Sequence, residues 1–222
     1  MHHKIALSLL VFAFIAIGCR TNMLPEYHRA IDTARVSSLT TGGPEVSIGG
    51  SSQDNPAAAL ISTVVSIGVS SDTYDKIQAA ADPQEFGDII QGAFETDMER
   101  FTNFKPTDGD NPDTQLNIDV VSYGLTAATI ESEVFFFMQV EATMVYLPEN
   151  KLIWEYGDTL SMPLKDIHIY SNSPAIQGMN TAVNFALISE LTEEELRAIF
   201  TGMADNAATI LLNQMREDIH DH

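Results

Sequence analysis

VFFFMQVEATMVYLPENKLIWEYGDTL, residues 134–160, is the stretch that decides the fold. Val134, Phe136, Met138, Val140, Ala142 and Met144 recur at every second position, while Gln139, Glu141 and Thr143 fall between them. A period of two puts the first set on one face of a strand and the second on the other. Lys151 to Leu160, with Ile153, Trp154 and Tyr156, reads as a second strand, and Pro148-Glu149-Asn150 between the two is turn chemistry, so they form an antiparallel hairpin. Such a sheet has one dry face and one wet face.

Working outward, Leu116, Ile118 and Val120 alternate with Asn117 and Asp119 as a further strand. Two well-signed helices are available to cover the dry face. Asp82-Pro83-Gln84-Glu85 supplies an N-cap, a proline at the first helical position and a carboxylate for a capping box. Phe86, Ile89, Ile90, Ala93, Phe94 and Phe101 then make an apolar stripe, and Pro106 marks the end of that element. The last helix opens on Thr192 with Glu195 three residues on, and Leu191 and Leu196 stand where a hydrophobic staple needs them. Its stripe is Leu196, Ile199, Phe200, Met203, Ala207, Ile210 and Leu211. The expected class is α+β: an antiparallel sheet with one face covered by two amphipathic helices, a two-layer sandwich.

Residues 28–217 are expected to form one such domain, followed by a tail at 218–222. A first strand is expected within 28–41, and Gly42-Gly43-Pro44 and Gly49-Gly50 punctuate 42–55 as loop. Asn55-Pro56 then opens an apolar insert at 56–70. Leu60, Ile61, Val64, Val65 and Ile67 within it either pack as a buried helix, form a buried strand of parallel type, or contact a partner or a membrane. The stretch 161–190 reads as irregular, with a short helix near 179–188.

Ahead of the domain, Ile5 to Ile17 carries no charge and follows Lys4, the pattern of a secretory signal at residues 1–18. It is shorter than the roughly 20 apolar residues a membrane-spanning helix needs. Cys19, the only cysteine, follows immediately in Ala16-Ile17-Gly18-Cys19. These residues resemble the signal of bacterial lipoproteins cleaved by signal peptidase II. The resemblance implies an N-acyl diacylglycerol modification of Cys19 as the only attached group, with no further cofactor. More than one acyl chain suffices for stable membrane anchoring. Arg20 in place of an aspartate after the cysteine implies, by the same resemblance, sorting to the outer membrane. Residues 19–27 would then be the lipidated terminus and a tether. With Cys19 lipidated, no thiol remains for a disulfide, and the fold must rest on its core.

The chain carries 31 acidic against 11 basic residues, a formal −20. Nucleic acid, lipopolysaccharide phosphates and anionic headgroups are all disfavoured as partners by that surface, whereas a basic protein partner is not. The order strand, helix, strand, hairpin, helix over residues 82–215, with Asn117-Ile118-Asp119, Tyr123-Gly124 and Leu152-Ile153-Trp154-Glu155, resembles the periplasmic auxiliary lipoproteins of ABC-type envelope transporters. More loosely, it resembles small lipoproteins that assist outer-membrane assembly.

Sequence signatures of catalysis are lacking: no Gly-x-Ser-x-Gly elbow, no phosphate-binding glycine loop and no cysteine pair. Of the histidines beyond the signal, His28, His168, His220 and His222, none belongs to a three- or four-ligand metal pattern. Asp108-Gly109-Asp110-Asn111-Pro112-Asp113 is similar to a calcium loop but places Pro112, Asp113 and Asp119 where an acidic or amide residue, glycine and glutamate belong. No catalytic and no metal-binding residue is therefore assigned. The expected function is that of a non-enzymatic, lipid-anchored envelope lipoprotein facing the periplasm, an accessory or assembly subunit acting through protein contacts. The alternative is a periplasmic carrier of a small apolar or lipid ligand, with a cavity lined by Phe135, Phe137 or Trp154.

Overall fold

The computed structural model describes residues 20–48, 71–127, 133–164, 188 and 190–220, the side chains of 71–73 excepted. The signal at 1–18, Cys19 and the insert with Leu60, Ile61, Val64, Val65 and Ile67 lie outside the described residues, as do His168, His222 and nearly all of the short helix read near 179–188.

The elements in chain order are α1 (Leu24–Tyr27), β1 (Thr33–Thr40), β2 (Pro44–Ile48), α2 (Ser71–Ala80), α3 (Pro83–Thr102), β3 (Lys105–Pro106), β4 (Thr114–Ala127), β5 (Val134–Tyr146), β6 (Lys151–Pro163) and α4 (Glu193–His220). The fold is α+β: one six-stranded sheet in the order β3-β1-β4-β5-β6, with β2 also on β4, carries helices on one face. The hairpin forms as its pattern requires. β5 pairs antiparallel with β4 and with β6, and Val134, Phe136, Met138, Val140, Ala142 and Met144 are all buried. The chain turns through Leu147–Glu149, with Asn150 in the left-handed region at φ 49°.

The other half of the sheet is parallel, where a wholly antiparallel sheet was expected. β1 and β2 lie end to end along one edge of β4, β1 against Thr114 to Val120 and β2 against Tyr123 to Ala127, and both run in the direction of β4. Parallel neighbours need a long crossover, and here α2 and α3 lie within it. Residues 44–48, within the stretch read as loop, are strand. Gly42 is where the edge changes: a Cβ there would stand 1.8 Å from the Val121 carbonyl oxygen, so only glycine lets the chain pass. Beside it, β4 shifts register against β5 between Val120 and Ser122. This bulge moves the core face from Leu116, Ile118 and Val120 to Tyr123, Leu125 and Ala127.

α3 is capped as its sequence indicates, the Asp82 carboxylate accepting from the Gln84 N–H at 3.0 Å and the Glu85 N–H at 3.4 Å. It stops at Thr102, ahead of Pro106, because Asn103 takes the left-handed conformation (φ 65°) and donates its N–H to the Glu99 carbonyl. α4 begins with the reciprocal box: Thr192 N–H donates to Glu195 Oε2 at 2.8 Å and Glu195 N–H to Thr192 Oγ1 at 3.2 Å. Arg197 donates to Glu85 at 2.8 Å near the starts of α4 and α3, and Arg216 stands over the Phe101 ring near their ends, so the two helices run parallel. Phe86, Tyr123, Phe136 and Phe200, with ring centroids 5.1 to 5.9 Å apart, tie both helices to the sheet. No helix among the described residues is long and apolar enough to cross a membrane.

Two ends of the sandwich follow from the register. At one, the starts of β1, β4 and β6 meet the C-termini of α3 and α4. At the other, Ile48 pairs with Ala127, Ala127 with Val134, and Phe135 with Pro163, beside the start of α4.

Candidate functional site

The chain enters the described structure at Arg20 and is fastened at once. Glu155 N–H donates to the Thr21 carbonyl at 2.9 Å and Met23 N–H to the Ile153 carbonyl at 2.7 Å, and Asn22 bridges Trp154 in antiparallel fashion. These residues extend the sheet beyond β6 by one short rung. Leu24 at the start of α1 is fully buried, and the Tyr27 ring packs at a tilt, 5.1 Å from that of Tyr146, while its hydroxyl donates to Glu149 at 2.7 Å and accepts from Lys151 at 2.9 Å. The expected tether over 19–27 is thus corrected for 20–27, which are part of the fold. Met23 and Leu24, adjacent among polar neighbours, left no periodic signal, and backbone pairing to β6 leaves none at all.

Asp218 is the centre of this entry. It lies on the inner face of α4 with Leu211, Met215 and Ile219, and is 4 % exposed. Its carboxylate accepts from the Arg20 guanidinium, from Trp154 Nε1 at 2.7 Å and from Gln214 Nε2 at 3.0 Å, while its carbonyl accepts from Asn22 at 3.3 Å. Burying a carboxylate is costly unless it is paired and hydrogen-bonded, and here each oxygen is engaged. Arg20 also stands 4.6 Å over the Tyr156 ring, which stacks on Trp154. The tail expected at 218–222 is corrected for 218–220: the helix runs to His220, and Asp218 and Ile219 are buried. A sequence signal for the site did exist, since Asp218 falls on the continuation of the α4 stripe and a buried carboxylate there demands a donor.

This arrangement fastens one chain segment to another. An open cavity of about 370 Å³ beside it is lined by Gln214, Arg216, Glu217, Asp218 and His220, a polar set ill suited to an apolar ligand. Trp154, named as a lining residue for a carrier, is fully buried in the core, whereas Phe135 and Phe137 lie half-buried on the sheet face away from the helices. His28 Nδ1 lies 3.0 Å from the Pro25 carbonyl, and His220 ends α4. Among the described residues no three His, Cys, Asp or Glu gather as metal ligands.

The acidic loop before β4 has a structural use. Asp113 accepts from the N–H groups of Asp32 and Thr33 at 2.9 and 2.8 Å and from the Thr33 hydroxyl at 2.9 Å, which fixes the entry into β1. Burial pushes this carboxyl up, but the hydrogen bonds outweigh it and hold it below the usual carboxylate range.

No family model matches the chain, and no curated protein matches it. Among solved structures, it is similar to a Xanthomonas campestris protein of the DUF330 family at 12% identity and a TM-score of 0.39, covering 89% of this chain and 94% of that one. A candidate lipoprotein of Caulobacter crescentus aligns at 11% identity and a TM-score of 0.33 over 70% of this chain and 100% of that one. Lipoprotein GNA1162 of Neisseria meningitidis aligns at 12% and 0.27 over 65% and 90%. At such values these likenesses carry no inference of function.

Proposed function

We propose that the protein is a non-enzymatic lipoprotein of the bacterial cell envelope, held on the outer membrane through lipidated Cys19 and acting as an accessory or assembly subunit by protein contacts. The observation that carries this reading is the apolar run Ile5 to Ile17 ending on Ala16-Ile17-Gly18-Cys19. The start of the fold agrees with it. The described residues begin at Arg20, one position after Cys19, and Arg20 is ion-paired to Asp218. The entry is bonded by Asp218 and Trp154, and its open cavity is polar, which favours a binding subunit over a carrier of apolar ligands.

Replacing the thiol tests the anchor. Wild-type protein expressed in a bacterial host is expected in the membrane fraction, at a mass that includes acyl chains and lacks residues 1–18. Cys19→Ala is expected to stay unacylated and unprocessed. Recovery of wild-type protein with a free Cys19 thiol would sink the reading.

A further inference from the structure

We propose that the free edge of β6, Gly157 to Ser161, takes up an extended segment of a partner protein as an added strand, and that Asp158 selects a segment carrying a basic side chain. The proposal rests on the reading above of a subunit acting by protein contacts, and deepens it by naming the surface and the chemistry of the partner.

Among the described residues the sheet ends on β3 and β2 at one side and on β6 at the other. β3 is two residues, Lys105 and Pro106, and β2 is five, opening on Pro44. Short strands, lysine and proline are the usual means of keeping an edge from pairing. β6 is thirteen residues long, and among the described residues only 21–23 lie against its outer side, at Ile153 to Glu155. That rung is antiparallel, so the chain passes from Met23 back to Arg20 along β6, where the Arg20 guanidinium stands 4.6 Å over the Tyr156 ring. Beyond Tyr156 no described segment pairs with the edge.

The backbone there is oriented to receive a strand. Glu155 donates its N–H outward to Thr21, and with a period of two the N–H and C=O groups of Gly157, Thr159 and Ser161 point the same way. All three residues are exposed. Pro163 falls on the same phase and closes the edge, having no N–H to give. Thr159 N–H is met by its own neighbour: the Asp158 carboxylate accepts it at 2.7 Å and accepts the Tyr156 hydroxyl at 3.3 Å. An incoming carbonyl can replace that side chain.

The side chains along the edge define the segment. Asp158 is paired with buried Val140, so it lies with Tyr156, Leu160 and Met162 on the helix side of the sheet, where all four are half-buried. An added strand lays alternate side chains along that row, apolar ones beside Leu160 and Met162 and one opposite Asp158. Among the described residues no ion pair includes Asp158. Opposite charges on adjacent strands attract and like charges repel, so a single inward carboxylate turns away strands that cannot match it. A second copy of this chain is a poor match. A two-fold joint of β6 to β6 keeps the helix sides on one face, which sets two Asp158 carboxylates there between molecules of formal charge −20. A strand bearing lysine or arginine at that position meets the carboxylate instead.

The test uses the full-length protein in phosphatidylcholine nanodiscs, its acylation read by mass, and three short peptides. The first alternates threonine and valine with one lysine placed to fall opposite Asp158; the second has glutamate for that lysine; the third is the lysine peptide N-methylated on the amides that would face β6. Amide exchange read by mass spectrometry is expected to slow at 157–161 with the lysine peptide, whose affinity should exceed that of the glutamate peptide severalfold. N-methylation is expected to abolish the protection. Asp158→Lys is expected to invert the preference between the two charged peptides, a reversal that loss of fold cannot produce. Exchange at 157–161 that ignores the lysine peptide, or equal affinity for the two charged peptides, overturns the proposal and leaves the anchored lipoprotein standing. A sample without acyl chains overturns the anchor alone, and the same exchange comparison still decides the edge.

Discussion

Asp218 shows how much a single side chain can organise when it is placed against the pattern of its own helix. Trp154 is the only tryptophan and is fully buried, with its indole N–H given to Asp218. Asp218→Ala would strand that donor and leave Gln214 and Arg20 to find water, though Arg20 is exposed enough to do so. A buried donor without a partner costs about 1–3 kcal/mol. Urea unfolding is therefore expected to show Asp218→Ala destabilised by about 2 kcal/mol, and Asp218→Asn by less, because the amide oxygen can still accept from the indole. The emission of Trp154 reads the same event optically. In the alanine variant its maximum is expected to shift before global unfolding, as the entry strand loosens ahead of the core. An unchanged midpoint in the alanine variant would show that Asp218 is not holding the entry. This residue was legible in outline only: its position on the α4 stripe follows from helical spacing, but its donors lie 64 and 198 positions away in the chain, and no local pattern names them.

At the scale of elements, what could be read from sequence was whatever advertises itself within one turn or one pleat. The hairpin of β5 and β6, the Asp82 cap and the Thr192–Glu195 box all depend on neighbours a few positions apart, and all formed. What escaped was pairing decided by distant chain. A strand followed by helices and another strand is the ordinary setting for parallel pairing, yet β1 is short and polar in parts and β2 sits behind Gly42-Gly43-Pro44, so the crossover went unseen. The join between β2 and β4 explains why the glycines are there. Gly124 has φ 149°, and a Cβ on it would come 1.8 Å from the Glu45 carbonyl oxygen. Gly124→Ala must therefore both strain the backbone and push β2 off β4, a loss of about 3 kcal/mol or more. Gly43→Ala meets nothing within 4 Å and is the control, expected within about 0.5 kcal/mol of wild type. Denaturant midpoints compare the two, and parity between them would show that the β2–β4 contact contributes little.

For the molecule as a whole, the dominant quantity is a formal charge of −20, and its consequence is a stability that should peak on the acid side of neutrality. Like charges crowded on a compact surface repel one another, and the unfolded chain relieves that repulsion by expanding. Lowering the pH from 8 towards 5 removes charge, and salt screens it, so both should raise Tm over that range. Glu45 adds to this limb. Burial pushes its carboxyl up, so its contribution to stability is complete below the unfolded value and is lost as pH rises through the folded one. Asp113 acts in the opposite sense on the other limb. Its hydrogen bonds hold its carboxyl down against the effect of burial, so its contribution is complete above the unfolded value and is lost as pH falls through the lowered folded one. Scanning calorimetry of the protein is accordingly expected to place maximal Tm at about pH 5–6, below the middle of the usual range. At pH 8, raising salt from about 20 to 300 mM, which shortens the screening length severalfold, should lift Tm by roughly 2–4 °C per kcal/mol of repulsion removed. Glu45→Gln should flatten the alkaline limb and leave the acid one, and Asp113→Asn should do the reverse at the expense of about 1–2 kcal/mol from the clamp on β1. A Tm that climbs steadily to pH 9 and ignores salt would mean that the surface carboxylates are too well solvated for their charges to oppose folding.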